Sequence, residues 1–327
     1  MKDEDGRMNA SRTSSLILQP SALLLVALLM SITVAISFGA VSLDDPAART
    51  ILLRLRLPRV LLAAAIGATL AVAGVTFQTL LRNPLADPFI LGVSGGAAAG
   101  AAIATALRLA RFPGVVPFVA FVGACIATAA VFLLARRRDH TDPTRLLLSG
   151  LVLNAFFSAV ILIAFSMSRA ADLAGALRWM MGNISAATWT NVIVVSVPFV
   201  IAMAVLAFVA NDLRLLTFGE EDAKARGVDV ERVKLIGFGV ASIITGAAVA
   251  VSGIIGFVGL LVPHLIRLMW RRDFRYLLPL CAIGGAILVV GADLLSRTLI
   301  TSVELPLGAF TAILGVPFFL SLLRRER

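Results

Sequence analysis

LPRVLLAAAIGATLAVAGVTFQTLL, residues 57–81, decides the fold. After Arg59 it carries no ionisable side chain through Leu81. A helix rises about 1.5 Å per residue, so about 20 apolar residues cross the roughly 30 Å hydrocarbon core of a bilayer. In lipid every backbone N–H and C=O must find its partner within the segment, so such a run is a helix. Nine further apolar runs lie near 16–40, 89–110, 112–135, 144–168, 190–210, 233–252, 254–269, 276–300 and 305–323. The eighth of the ten, 254–269, is short and glycine-rich. Strands of a membrane barrel would alternate apolar and polar residues over about ten positions, and no such pattern occurs. With 59% hydrophobic residues and a mean hydropathy of +0.97 over 327 residues, the chain is too apolar for one soluble core. The reading is an all-α polytopic membrane protein: a cytoplasmic tail, 1–15, then one transmembrane domain, 16–327. The first run is too long for a signal-peptide core and reads as the first span.

The net charge of +10 would suit nucleic acid, but the cations sit in short loops between apolar runs. That is where topology-setting charge belongs. With both termini cytoplasmic, 20 of the 29 Lys and Arg residues fall inside and nine outside, so the positive-inside bias selects that orientation. Four of the nine outer cations, Arg49, Arg54, Arg56 and Arg59, crowd together at the start of the second span. Topology alone does not account for that cluster.

Two loops exceed simple hairpins. The outer stretch 169–189 carries Asp172, Arg178, Trp179 and Trp189 and reads as a short amphipathic helix, its indoles at headgroup level. The inner stretch 211–234 contains GEEDAKARGVDVERVK from Gly219. Its charge, helix propensity and Gly227 stop predict two short helices offered to a cytoplasmic partner. An echo between AVAGVTFQTLLRNPL from Ala71 and AVSGIIGFVGLLVPHLIR from Ala250 resembles the inverted repeats of transporters.

The chain lacks an engine of its own. A P-loop needs a lysine after a glycine-rich turn, and Lys2, Lys224 and Lys234 have none before them. Ion coupling leaves ionisable residues in mid-membrane, but these spans are nearly free of them. Asp293 and Arg297 are spaced to pair on one helix face, and Asp87 and Glu304 lie at span edges. Gly92-Val93-Ser94-Gly95 matches the GxSG of intramembrane serine proteases, but close packing of small residues is the better explanation and the protease a remote alternative. His264 has no second ligand at metal spacing, and Cys125 and Cys281 read as buried thiols.

Six blocks in order carry a family resemblance. They are RLPR from Arg56 with RNPLADPFILGVSGGAAAGA from Arg82, WMMGN from Trp179, the GEEDAKARGV loop, GIIGFVGLLVPHLIR from Gly253, ADLLSR from Ala292, and ELPLGAFTAILGVPFF from Glu304. From the second span to the C-terminus the chain resembles the iron-chelate and cobalamin permeases of bacterial type II ABC importers. The resemblance implies ten helices in the inner membrane and a homodimer with the pathway along its interface. It also implies a periplasmic binding protein, and two cytoplasmic ATPases that bind the ATP and Mg, with no cofactor in this chain. Arg56, Arg59 and Arg297 are thereby expected to dock the binding protein. Glu220, Glu221, Arg226 and Gly227 are expected to couple to the ATPase, and Asp172, Trp179, Met180 and Gly182 to belong to an outer gate. Family breadth favours an iron chelate (siderophore or haem) as cargo, with cobalamin as the alternative.

Overall fold

A computed structural model describes residues 21–38, 48–137, 140–270, 273–300 and 304–325. The expected tail 1–15, the start of the first run, and the inner cations Arg138, Arg271 and Arg272 lie outside these residues. Helix α1 is Ser21–Ser37. Helix α2, Ala48–Ile51, passes through a π-helical turn, Leu52–Arg56, into α3, Leu57–Leu80. Pro58 has no N–H to continue the ordinary ladder, and the wider turn absorbs the mismatch just before it.

The remaining helices are α4 Val93–Ala106, α5 Val115–Ala135, α6 Pro143–Ser166, α7 Ala170–Met180 and α8 Trp189–Phe208. After them come α9 Ala210–Leu216, α10 Glu220–Ala225, α11 Val230–Ser252, α12 Val258–Met269, α13 Phe274–Thr298 and α14 Leu307–Arg325. Among the described residues the only strands are the two-residue pair Arg136–Arg137 and His140–Thr141.

Six helices are long and apolar enough to cross a membrane: Arg49–Leu80, Val115–Ala135, Pro143–Ser166, Trp189–Phe208, Val230–Ser252 and Phe274–Thr298. Four shorter apolar helices, Ser21–Ser37, Val93–Ala106, Val258–Met269 and Leu307–Phe318, occupy the other expected runs. Two of those runs are only partly helical. In the third, the helix begins at Val93, after a turn-rich stretch from Arg82 with buried Asp87 and Leu91. In the eighth, Gly253 and Phe257 both have positive φ, so α12 begins only at Val258. Non-helical backbone at membrane depth is tolerated where protein surrounds it.

Helix α3 is the axis of the bundle, packed along α13 and against α11, α12 and α8. Lipid gives helices no hydrophobic reason to associate, so close approach has to come from small residues. A Cβ at Gly67 would collide with the Gly285 backbone, and one at Gly74 with that of Gly259. The second contact joins the two echoing segments, one helical as far as Leu80 and the other broken at 253–257. Gly96 meets Gly123 in the same way between α4 and α5, and within the GxSG stretch a Cβ at Gly95 would collide with the Asn154 side chain of α6. Helices α5, α6 and α8 leave most of their apolar surface uncovered, as lipid or another copy of the chain requires.

Candidate functional site

Three groups of residues lie along this frame. Arg59 stands in the first turn of α3 and Arg82 just beyond its last. Twenty-four helical residues separate the clusters around them by about 36 Å.

At the end that the charge pattern assigns outward, Arg59 Nε donates to Asp293 Oδ1 and Arg59 Nη1 to Glu304 Oε1, both at 2.8 Å. Arg297 Nε lies 3.3 Å from Asp293 Oδ2, the pairing its four-residue spacing predicts. The Arg297 guanidinium also donates to the carbonyls of Phe38, at 3.1 Å, and Ala35. Arg56 Nη1 donates to Ile36 O at 3.1 Å. The three arginines expected at a docking surface therefore converge, but their side chains are turned into the bundle and tie α1, α3, α13 and the α14 entry together. Arg49 and Arg54, outside the family motif, are exposed. A two-carboxylate partnership across more than 230 residues leaves no trace in local spacing, so the sequence reading missed it.

The expected gate segment is α7 and the turn after it. Asp172 occupies the first turn and Arg178 the last, each complementing the helix dipole. Asn183 N donates to Ser252 O at 2.8 Å, Leu307 N to Gly182 O at 3.1 Å and Gly308 N to Met181 O at 3.1 Å. Residues 181–183 thus stitch the end of α11 to the start of α14. Gly182 (φ +78) packs on the Ile254 carbonyl, and Gly253 (φ +71) on that of Trp179. The headgroup placement expected for both indoles is corrected for Trp179. Its ring packs against the cluster of Val93, Ala97, Val249 and Ala250 inside the bundle. Trp189 is exposed and donates Nε1–H to Leu53 O at 3.1 Å.

Met180, Met181, Ile254, Phe257 and Pro306 line an open cavity of about 640 Å³, closed on its other side by Asp87, Phe89 and Ile90. Trp179 and Gly182 flank this junction without lining the cavity, and Asp172 is not among its wall residues. Asp87 is the one ionisable residue in that wall. Its Oδ1 accepts the Phe89 N–H at 2.8 Å.

At the opposite end, α9 and α10 are the two short helices predicted. Gly227 closes α10 at φ +82, where Gly227 N donates to Lys224 O and Val228 N to Ala223 O. Buried Ala223, Val228 and Val230 pin this unit, while Glu221, Asp222, Lys224, Arg226 and Gly227 face outward. Glu220 departs from the expectation. Its Oε2 is 2.9 Å from Nζ of buried Lys234, so it points into the bundle and not toward a partner. A polar cleft of about 880 Å³ runs beside α10, between Arg82, Asp142 and Phe218.

The proteolytic alternative gains nothing from the geometry. Ser94 Oγ is buried and has no hydrogen-bond partner, so no base is positioned to activate it. Among the described residues no group of three or more His, Cys, Asp or Glu residues could hold a metal.

An axial helix, broken helices around an apolar cavity and a charged helical loop at one end define a transport permease. The FecCD transport family model matches residues 17–325. The uncharacterized ABC transporter permease protein YvrB of Bacillus subtilis is 42% identical over 88% of this chain and 82% of its own. The hemin transport system permease protein HmuU of Yersinia pestis is 42% identical over 84% and 83%. The cobalamin import system permease protein BtuC of Halobacterium salinarum is 43% identical over 85% and 74%. Among solved structures, a transporter assigned to the metal-chelate type of ABC transporters, in an inward-facing conformation, superposes with a TM-score of 0.86. It is 29% identical, over 93% of this chain and 98% of that one. The chain belongs to the FecCD transport family and is a permease of the ABC importer class.

Proposed function

We propose that two copies of this chain form the inner-membrane channel of an importer that moves an iron chelate, siderophore or haem, into the cytoplasm. A periplasmic binding protein delivers the chelate, and two ATPase subunits that bind ATP and Mg drive the cycle. The observation that carries this reading is α10, a short helix pinned by a buried apolar underside with its charged face uncovered. Such a surface suits a cleft on a partner, and Glu221, Arg226 and Gly227 are its contact residues. At the other end exposed Arg49 and Arg54 add to the field of Arg56, Arg59 and Arg297, and cations on a rim chiefly set encounter rate and register with an acidic partner. The cavity between α7, α12 and α14 has walls that offer a cargo shape and little charge, which suits passage over retention. Iron compounds recur among the relatives' names, with Fe(3+)-citrate and iron(3+)-hydroxamate permeases of Bacillus subtilis beside the hemin protein. Cobalamin is the second reading, on equal identity to BtuC.

The test is capture of the co-expressed ATPase by the purified chain. Glu221→Lys with Arg226→Glu reverses both exposed charges and should release the ATPase by roughly tenfold or more, while the permease still elutes as an intact species. Undiminished capture removes α10 from the interface.

A further inference from the structure

Glu220 and Lys234 have no obvious reason to be buried together beneath a surface helix. Lys234, in the second turn of α11, is only 4% exposed, and its Nζ has three oxygen partners. They are Glu220 Oε2 at 2.9 Å, Glu231 Oε1 at 3.1 Å and the Thr141 carbonyl at 2.7 Å. An ammonium has three donors, so this set saturates it. Thr141 is held a second time: its N–H and Oγ1 both donate to Glu231 Oε2, at 3.0 and 2.6 Å. The next residue, Asp142, caps α6 through its side chain on Thr144 N at 2.8 Å. A continuous chain of charged bonds therefore runs from the first residue of α10 to the first turn of α6.

Glu220 has a second contact. Its Oε1 lies 3.9 Å from Arg82 Nη2, and Arg82, at φ +48, opens the stretch that carries Asp87, Phe89 and Ile90 to the cavity wall. That stretch is fastened to α6 by Asn154 Nδ2 donating to Phe89 O at 2.8 Å. Both routes from Glu220 thus reach the same pair of elements, one by way of Lys234 and Thr141 and one by way of Arg82.

We infer that Glu220 and Lys234 are positioning residues that transmit displacement of α10 to α6 and to the 82–92 wall of the cavity. The inference rests on the proposed docking of an ATPase on α10. It assigns Glu220 a role separate from that interface. Buried ion pairs resist being pulled apart because each charge left alone keeps its desolvation cost, so α10 cannot shift without its partners following or the cluster breaking. A hydrophobic contact could slide. A saturated ammonium between two carboxylates and a carbonyl has one arrangement, which suits a rigid linkage.

The experiment compares the parent chain, Glu220→Gln and Lys234→Met, each reconstituted with the ATPase and binding protein in liposomes. Three quantities are read: ATPase capture, ATP hydrolysed, and cargo moved per ATP with haemin, ferric citrate and cyanocobalamin as probes. Both single variants should keep ATPase capture yet move about two- to thirtyfold less cargo per ATP, the range for residues along a coupling route. A purely structural defect would lower ATPase capture along with cargo moved per ATP. Where Lys234→Met fails to assemble, the isosteric Glu220→Gln decides. Unchanged cargo per ATP in Glu220→Gln overturns the relay, and so does loss of ATPase capture, which would make Glu220 a direct contact. A parent chain that captures no ATPase overturns the importer reading itself, and the relay with it.

Discussion

Asp87 sits in an apolar wall where its charged form has lost most of its water. A buried carboxyl held, among the described residues, by the Phe89 N–H alone costs the fold stability. Asp87→Asn keeps an acceptor for that N–H and removes the charge, so the variant should be at least as stable as the parent. Thermal unfolding of the detergent-solubilised protein measures it, and a clearly lower melting temperature would contradict the assignment. The opposite solution appears at Asp293, whose carboxylate is also buried but lies between Arg59 and Arg297. In the sequence Arg59 was legible as one of a conspicuous outer cluster, and the Asp293–Arg297 pair followed from its four-residue spacing. That Asp293 and Glu304 also hold Arg59 was not, because pairing across the fold leaves no periodic signal.

At the scale of elements, the breaks matter more than the helices. Helices α11 and α12 would be one long hairpin but for residues 253–257, and that break admits the end of α7 and the start of α14. Gly253 combines φ +71 with ψ −162, a region open to glycine alone, and a Cβ there meets the Trp179 carbonyl. Gly253→Ala should therefore cost about 3 kcal/mol or more, seen as loss of the monodisperse species on size-exclusion chromatography. Gly256→Ala, where a Cβ meets nothing within 4 Å, should behave like the parent. Equal behaviour of the two would mean that the junction is not tightly packed. The apolar run 254–269 was legible as a short, glycine-rich span. That it is half a helix was not, since hydropathy registers depth in the membrane and is blind to backbone conformation.

For the whole molecule, the proposed importer draws its energy from ATP hydrolysed by another chain. Uptake into right-side-out vesicles should stop on ATP depletion and persist when an uncoupler collapses the proton gradient. The converse result would make the chain an ion-driven carrier. In the same vesicles one of the iron chelates, haemin or ferric citrate, should be taken up and cyanocobalamin should fail to compete. Reversed ranking moves the cargo to cobalamin. In the proposed importer, a cavity of about 640 Å³ with Asp87 as its one ionisable wall residue leaves cargo choice largely to the delivering protein.

What the sequence by itself determined is what depends on composition and short spacing. Twenty apolar residues in a row can only be helical in lipid, six ordered blocks suffice to place the chain in its family, and Gly227 ends α10 because few other residues adopt its conformation. Tertiary structure alone decided which charges are spent inside. It turned Arg59, Arg297 and Glu220 inward, left Arg49, Arg54, Glu221 and Arg226 outside, and joined Lys234 to Thr141 across 93 residues. The physical reason is that a charge in a low-dielectric interior takes whichever opposite charge packing brings within reach, and helix packing, not sequence proximity, sets that distance.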